Sequence, residues 1–341
     1  MSDTTTAPTI DVVCAGESMA MFVPTKQGAP SASSLYQISV AGAESNVATY
    51  LRMLGLNSSW VSRVGSDAFG RFILGHLADE GVDVTHAEID DTKPTGAAFK
   101  NRTADDTHVD YYRSSSAFSG IGPSTAAKAT ALNPAIIHIS GITLALSESC
   151  RDFIAHILAN RSADSLVSFD VNWRPALWEH TEVESPADRI LATAQASDIV
   201  LVGLDEAEAL WGHTNVAEVR ALISAPTILV VKQGASGCTV FNDGQVIPVP
   251  ALFVNVVEPV GAGDAFAAGF LAGYLERRSI RDSARLGTIV ASSALSVSTD
   301  VGPLPPPEFI ATLLNLEDSD WNGQRYPSGN DTRSTPHVAN G

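Results

Sequence analysis

Cysteine is scarce in this 341-residue chain, where Cys14, Cys150 and Cys238 stand far apart and make an odd number. No CxxC pair occurs, which excludes a disulfide framework and leaves buried thiols in a reducing compartment as the expectation. The eight histidines are scattered, so no compact His/Cys cluster suggests structural zinc, and His138 in Ala135-Ile-Ile-His-Ile139 reads as a strand residue. Basic residues are also few, 21 against 38 acidic, for a net charge of -17. Such a field opposes nucleic-acid binding and gives no attraction to anionic membranes, although a few local cations can still serve an anionic small substrate. The most apolar stretch, Ala265–Leu275, is too short to span a bilayer. The opening MSDTTTAPTI has neither the basic region nor the apolar run of a signal peptide, so a cytoplasmic location is expected. Two glycine signatures are missing as well. There is no GxxxxGK(S/T), and no GxGxxG opens an early βαβ unit, which speaks against a P-loop nucleotidase and a nicotinamide dehydrogenase.

With 45% apolar residues, the chain has ample material for an ordered core. Residues 11–16 read as a buried strand ending at glycine, Asn46 to Leu54 as an amphipathic helix, and Phe69 to Ala78 as another. Residues 89–113 differ: Thr- and Asp-rich, with short alternations around AAFK and HVDYYR, they suggest partly exposed hairpin strands acting as a flap. From residue 130 onward, strands 135–139, 165–169, 199–202 and 227–231 alternate with helices 150–159, 187–196 and 206–211. That rhythm implies an α/β fold, a mostly parallel sheet with helices on both faces, whose ligands gather at the carboxyl ends of the strands. One domain is expected over 8–314, with a lid formed by about 17–40 and 89–117, and a disordered polar tail over 315–341.

The segment Val260-Gly261-Ala262-Gly263-Asp264-Ala-Phe266 runs into an apolar helix. Small residues before a helix let backbone N–H groups converge on an anion, reinforced by the helix dipole. Asp264 then falls in the first turn, where a carboxylate can orient a hydroxyl and accept its proton late in phosphoryl transfer. The bland alternative is a tight turn with an ordinary capping aspartate.

Further motifs make the segment specific. Ala41-Gly42-Ala-Glu-Ser-Asn46-Val-Ala and Val64-Gly-Ser-Asp-Ala-Phe-Gly70, with VGAGDAFAAGF, resemble in order the signatures of the PfkB, or ribokinase-like, carbohydrate kinases. The resemblance covers about residues 11–310 and implies a doubly wound α/β domain with a small β-sheet lid. It also implies ATP and Mg²⁺ as cofactors, Asp264 as base, the preceding backbone (Gly261, Ala262, Gly263) as anion hole, and Gly42 and Asn46 lining the sugar pocket.

Asp170-Val-Asn172-Trp-Arg174-Pro-Ala-Leu-Trp178 follows a strand, and its polar residues at alternate positions share one side if the backbone stays extended. An arginine fork there suits a carboxylate or phosphate, or is a solvated surface charge. Trp173 and Trp178 suit packing support for this loop. With Asp110-Tyr111-Tyr112-Arg113 on the flap, the segment resembles the 2-keto-3-deoxygluconate kinases of that family. The resemblance implies that Arg174, Arg113 and either Tyr111 or Tyr112 meet a sugar acid phosphorylated at its terminal hydroxyl. Such kinases often carry an aromatic residue where this chain has Thr95-Gly-Ala-Ala98-Phe99, so Phe99 supplies that wall only with a shifted register. Fructose or ketodeoxygalactonate kinases, and a catalytically silent sugar-binding protein, are the competing expectations.

At the nucleotide end, Gly203-Leu-Asp-Glu206 places a glutamate where the resemblance implies contact with hydrated Mg²⁺, or where any helix favours an acidic start. Val231-Lys232-Gln-Gly234-Ala-Ser-Gly237 resembles the family's KxGxxG turn beside ATP; Lys232 is otherwise a strand-end charge. Some relatives bind a monovalent cation near the position of Glu258-Pro259-Val260. A lid with an exposed apolar face would be protected by dimerisation.

Overall fold

The computed structural model describes residues 9–26, 28–102, 107–179, 181 and 183–327. Its strands, in chain order, are β1 (Val12–Ala15), β2 (Met19–Pro24), β3 (Tyr36–Ala41), β4 (Ser58–Val61), β5 (Arg63–Gly65), β6 (Glu88–Asp90) and β7 (Ala97–Arg102). There follow β8 (Thr107–Tyr112), β9 (Ile136–Ser140), β10 (Leu166–Asp170), β11 (Ile199–Gly203), β12 (Ile228–Lys232), β13 (Cys238–Asn242) and β14 (Gln245–Val249).

Eight strands form the main sheet in the order β14-β13-β12-β11-β10-β9-β1-β4. From β4 to β12 all neighbours are parallel, and β13 and β14 close one edge as an antiparallel hairpin. Side-chain alternation explains why these strands are largely apolar on both faces. Val12, Cys14, Ile199, Leu201, Ile228 and Val230 point into one core, while Val13, Ala15, Val200, Val202, Leu229 and Val231 point into the other. A strand buried on both faces reads as a near-continuous apolar run, and a polar residue in it such as His138 finds a partner, here the Ser168 hydroxyl. The first core holds the helices Ala43–Met53, Ala262–Leu275 and Ile280–Leu295; Glu148–Asn160 and Pro186–Gln195 cover the second. The apolar stretch 265–275 is therefore a buried helix, and among the described residues no helix is long and apolar enough to cross a membrane. All three cysteines are buried thiols.

A second, four-stranded sheet, ordered β3-β2-β7-β8, stands apart from the first. Its two faces differ. Met19, Met21, Ala41 and Ala98 are buried together on one, whereas Phe22 and Phe99 stack on the other at 4.4 Å between ring centroids. The VGSDAFG motif forms the joint between sheet and body. Asp67 caps the helix Ala68–Asp79 through the Gly70 N–H and also accepts from the Thr95 N–H and hydroxyl at the foot of β7. Those hydrogen bonds outweigh its burial and hold the carboxyl below its ordinary value.

The end of the chain departs from the expected disordered tail. Residues 315–327 are packed, with Trp321 1% exposed, its indole N–H donating to the Pro250 carbonyl and its ring under the Arg285 guanidinium. One large aromatic side chain outweighs the polar composition around it. The rest of the expected tail, 328–341, lies outside the described residues.

Candidate active site

The carboxyl ends of β10, β11 and β12 and the start of the helix Ala262–Leu275 meet under the small sheet, enclosing a cavity of about 440 Å³. Gly42, Asn46, Tyr111, Arg113, Asp170, Asn172, Arg174, Glu206, Lys232, Gly261, Gly263 and Asp264 all line it. These come from six separate segments of the sequence, so their convergence is a product of the fold.

Gly261 is the N-cap of its helix, with φ 84, a left-handed conformation. A Cβ there would stand 2.3 Å from the Asp300 carbonyl oxygen, so both the turn and its packing demand glycine. The helix begins two residues earlier than two leading glycines would suggest: Ala262, Gly263 and Asp264 already form its first turn. Asp264 is held from outside its own helix. The Asn46 amide donates to its Oδ2 at 2.9 Å, and the Asn172 amide makes a longer contact of 3.5 Å to Oδ1. Burial pushes the carboxyl up to about 7, Asn46 and Arg174 oppose the rise, and Asp170 and Asp300 add to it.

β10 ends at Asp170, and the DxNxR segment continues as a loop. Asn172 takes φ 42 and Arg174 starts the short helix Pro175–Trp178. The alternation expected of an extended backbone therefore fails locally, yet all three polar side chains reach the cavity by way of the loop. Two contacts shape that loop: the Trp173 N–H donates to Glu206 Oε1 at 2.8 Å, and the Trp173 and Trp178 rings stack at 5.9 Å. Asn172 Oδ1 is buried with no hydrogen-bond partner. Arg174 is exposed and bonded to its neighbour's carbonyl, the Trp173 oxygen.

Glu206 takes the helix-start role its sequence context allowed and also stands at the cavity. Its Oε2 accepts the Gly203 N–H at 2.6 Å, capping its own helix, and the side chain also borders the cavity. Burial pushes it up, against the pull of Lys232. Lys232 is more than a strand-end charge: its Nζ lies 3.0 and 2.9 Å from the two Asp170 oxygens and 3.4 Å from where a Gly263 Cβ would stand. Burial alone would lower the ammonium, but Asp170 and Glu206 hold it above its ordinary value. Gly234 and Gly237 are not brought into the cavity lining. They form the turn after β12 with φ 56 and 100, and the close approach at Gly237 is to the Val249 backbone of β14.

On the small sheet, the β7–β8 register sorts the two tyrosines. Val109, Tyr111 and Arg113 border the cavity, while Tyr112 is 65% exposed with its ring edge against Phe99. The register does not shift at Phe99 either: Ala98 is the inward residue, and Met19 and Met21 pack beside it. Arg113 is 8% exposed and already engaged, its Nε 2.7 Å from Glu17 Oε2.

Glu17, Glu44, Lys100 and Asp300 also line the cavity, and sequence reasoning missed them as site residues. Glu17 follows the carboxyl end of β1 and Glu44 stands inside the GAESN motif, so both carried a usable signal. Glu44 is 1% exposed, accepts from the Ser140 hydroxyl at 2.6 Å, and is pushed up to about 7 by burial. Lys100 and Asp300 carried none.

The model of the pfkB family carbohydrate kinases matches residues 9–306. A 2-dehydro-3-deoxygluconokinase from Bacillus subtilis (strain 168) is 34% identical, covering 90% of this chain and 96% of its own length. One from Thermoproteus tenax is 32% identical over 89% and 94%. Among solved structures, a PfkB protein from Polaromonas sp. JS666 matches with a TM-score of 0.77 at 33% identity, covering 85% of this chain and 98% of that one.

Proposed function

The chain belongs to the pfkB family of carbohydrate kinases, and on that premise we propose that it moves the ATP γ-phosphate to the terminal hydroxyl of 2-dehydro-3-deoxy-D-gluconate. The products are the 6-phospho sugar acid and ADP. The observation that carries this reading is the placement of Asp264, at a helix N-terminus, in one cavity with the cationic side chains of Arg174 and Arg113. Two relatives named for this activity support it.

In this reading the terminal hydroxyl hydrogen-bonds to Asp264, which aligns the attacking oxygen and takes its proton as the new P–O bond forms. The N–H groups of the 261–264 turn and the Lys232 ammonium face the transferred phosphoryl group. Asn46 keeps Asp264 aimed. Arg174, exposed and bonded only to a neighbouring carbonyl, is free to fork onto the substrate carboxylate. Arg113, neutralised by Glu17, orients hydroxyls together with Tyr111. The unpartnered Asn172 Oδ1 is an acceptor for one of them after a small rotation.

Both Glu206 oxygens already accept backbone N–H groups, so the site fits a water-mediated hold on Mg²⁺ rather than direct ligation. Magnesium supplies charge neutralisation of the ATP phosphates. Among the described residues no group of three or more His, Cys, Asp or Glu side chains is placed to hold a metal unaided. We also propose a dimer through the outer face of the small sheet; the exposure of Ile38 (47%) and Tyr112 (65%) beside the Phe22–Phe99 stack supports it. Phosphorus NMR of the product tests the reaction: coupling of the new phosphate to the terminal methylene supports it, and phosphate at any other carbon rejects it.

A further inference from the structure

Lys100 lies on the cavity side of β7, and its Nζ is 2.7 Å from Glu258 Oε2, with side-chain exposures of 3% and 7%. The two residues belong to different parts of the fold. Lys100 is carried by the small sheet, and Glu258 stands in the segment leading directly into the Gly261–Asp264 turn. Asp300 shares their electrostatic surroundings: its carboxyl is pushed up by burial and by Glu258 and pulled down by Lys100. Asp300 also packs its carbonyl where a Gly261 side chain would be. The Lys100–Glu258 contact thus ties the small sheet directly to the segment that leads into the 261–264 turn.

A buried carboxylate such as Glu258, with the half-buried Asp300 carboxylate near it, stays ionised only with a cation close by. Here the cation is covalently part of the small sheet. We propose that Lys100 is a positioning residue whose ammonium, delivered by the lid, neutralises Glu258 and Asp300 and so fixes the 258–264 turn in the shape that receives the phosphoryl group. Lys100 does this in place of a dissociable monovalent cation. The Glu258 carboxylate that such an ion would need is already taken by Nζ, so these residues do not fit one.

Lys100→Ala and Lys100→Met are compared with wild type on whichever sugar wild type turns over fastest, so the outcome does not depend on the sugar-acid reading. A wild type inactive on every sugar acid defeats that reading alone. Melting curves confirm that each variant is folded; Lys100→Met, which keeps the apolar stem, serves if the alanine variant is not. A turn misplaced by an ångström lowers kcat about 100-fold, while the KM for ATP stays within about threefold. Added methylammonium restores about tenfold of the loss in Lys100→Ala, which has room for it, and does nothing to wild type. Wild-type turnover is the same in potassium, sodium and tetramethylammonium salts. An unchanged kcat in a folded variant, a loss that methylammonium does not restore, or strong stimulation of wild type by potassium each overturns the proposal.

Discussion

Asp264→Asn separates two consequences of placing a carboxylate at the start of the helix Ala262–Leu275. Burial first, with repulsion from Asp170 and Asp300, moves its carboxyl from 3.8 to about 7 against the Asn46 hydrogen bond and Arg174. At about 1.36 kcal/mol per factor of ten in the proton equilibrium, the ionised form carries a penalty of about 4 kcal/mol. The residue keeps some solvent access, and screening brings the expected penalty to about 2 kcal/mol. The sign follows from which state ionises first. Below pH about 4 both states hold the proton; as pH rises the unfolded chain releases it first, and the native state loses stability until about pH 7, where the penalty is complete. Asparagine has no charge to bury and keeps an acceptor for Asn46. Asp264→Asn is therefore more stable than wild type by about 2 kcal/mol near pH 8.5, and by clearly less near pH 5.5. Turnover falls about 10²–10⁴-fold, the usual loss for a general base, with little change in ATP affinity. Urea titrations at the two pH values and single-turnover kinetics measure both effects. Wild-type kcat/KM has an acidic limb near pH 7 that the variant's residual activity lacks. Equal stability gains at both pH values, or turnover close to wild type, would refute the reasoning.

Three further outcomes are expected. Arg174→Ala raises the KM for the sugar acid and lowers kcat/KM by about 2 kcal/mol, the low end for losing a charge-assisted contact; a neutral sugar shows no such change, and equal losses on both count against carboxylate recognition. Gly261→Ala forces φ 84 on a residue with a side chain and a contact of 2.3 Å on the Asp300 carbonyl. Its kcat falls about 100-fold as the turn shifts, and a crystal structure of the variant with an unmoved turn contradicts this. Trp321→Ala costs about 3–5 kcal/mol of stability in a denaturant titration, whereas a loss under about 1 kcal/mol contradicts the packing of residues 315–327.

The parallel sheet was legible because its strands are short, largely apolar runs, a pattern that double burial favours. Asp264, Asn46 and Arg174 were legible because each stands at a carboxyl end or a helix start inside a recognisable motif. What escaped depends on strand register and on contacts between distant segments. The choice between Tyr111 and Tyr112, and the outward turn of Phe99, follow from the β7–β8 and β2–β7 pairings. Arg113 looked like a free cation because its partner Glu17 is 96 residues away. Lys100 and Glu258 give no local sign of each other, since neither position is near the other until the small sheet folds over the body. Polar composition hid Trp321, whose docking site is the Pro250 carbonyl and Arg285.

The most direct measurement is a coupled ADP-release assay of wild type on 2-dehydro-3-deoxygluconate, 2-dehydro-3-deoxygalactonate, fructose and ribose under one set of conditions. A sugar acid with a terminal hydroxyl within reach of Asp264 and a carboxylate on Arg174 is the predicted substrate. Both acids should therefore show a kcat/KM at least about tenfold above both neutral sugars, the discrimination that one charged contact supplies, and the relatives named for the gluconate derivative put it first of the two. Fructose or ribose used as well as either acid would contradict the account.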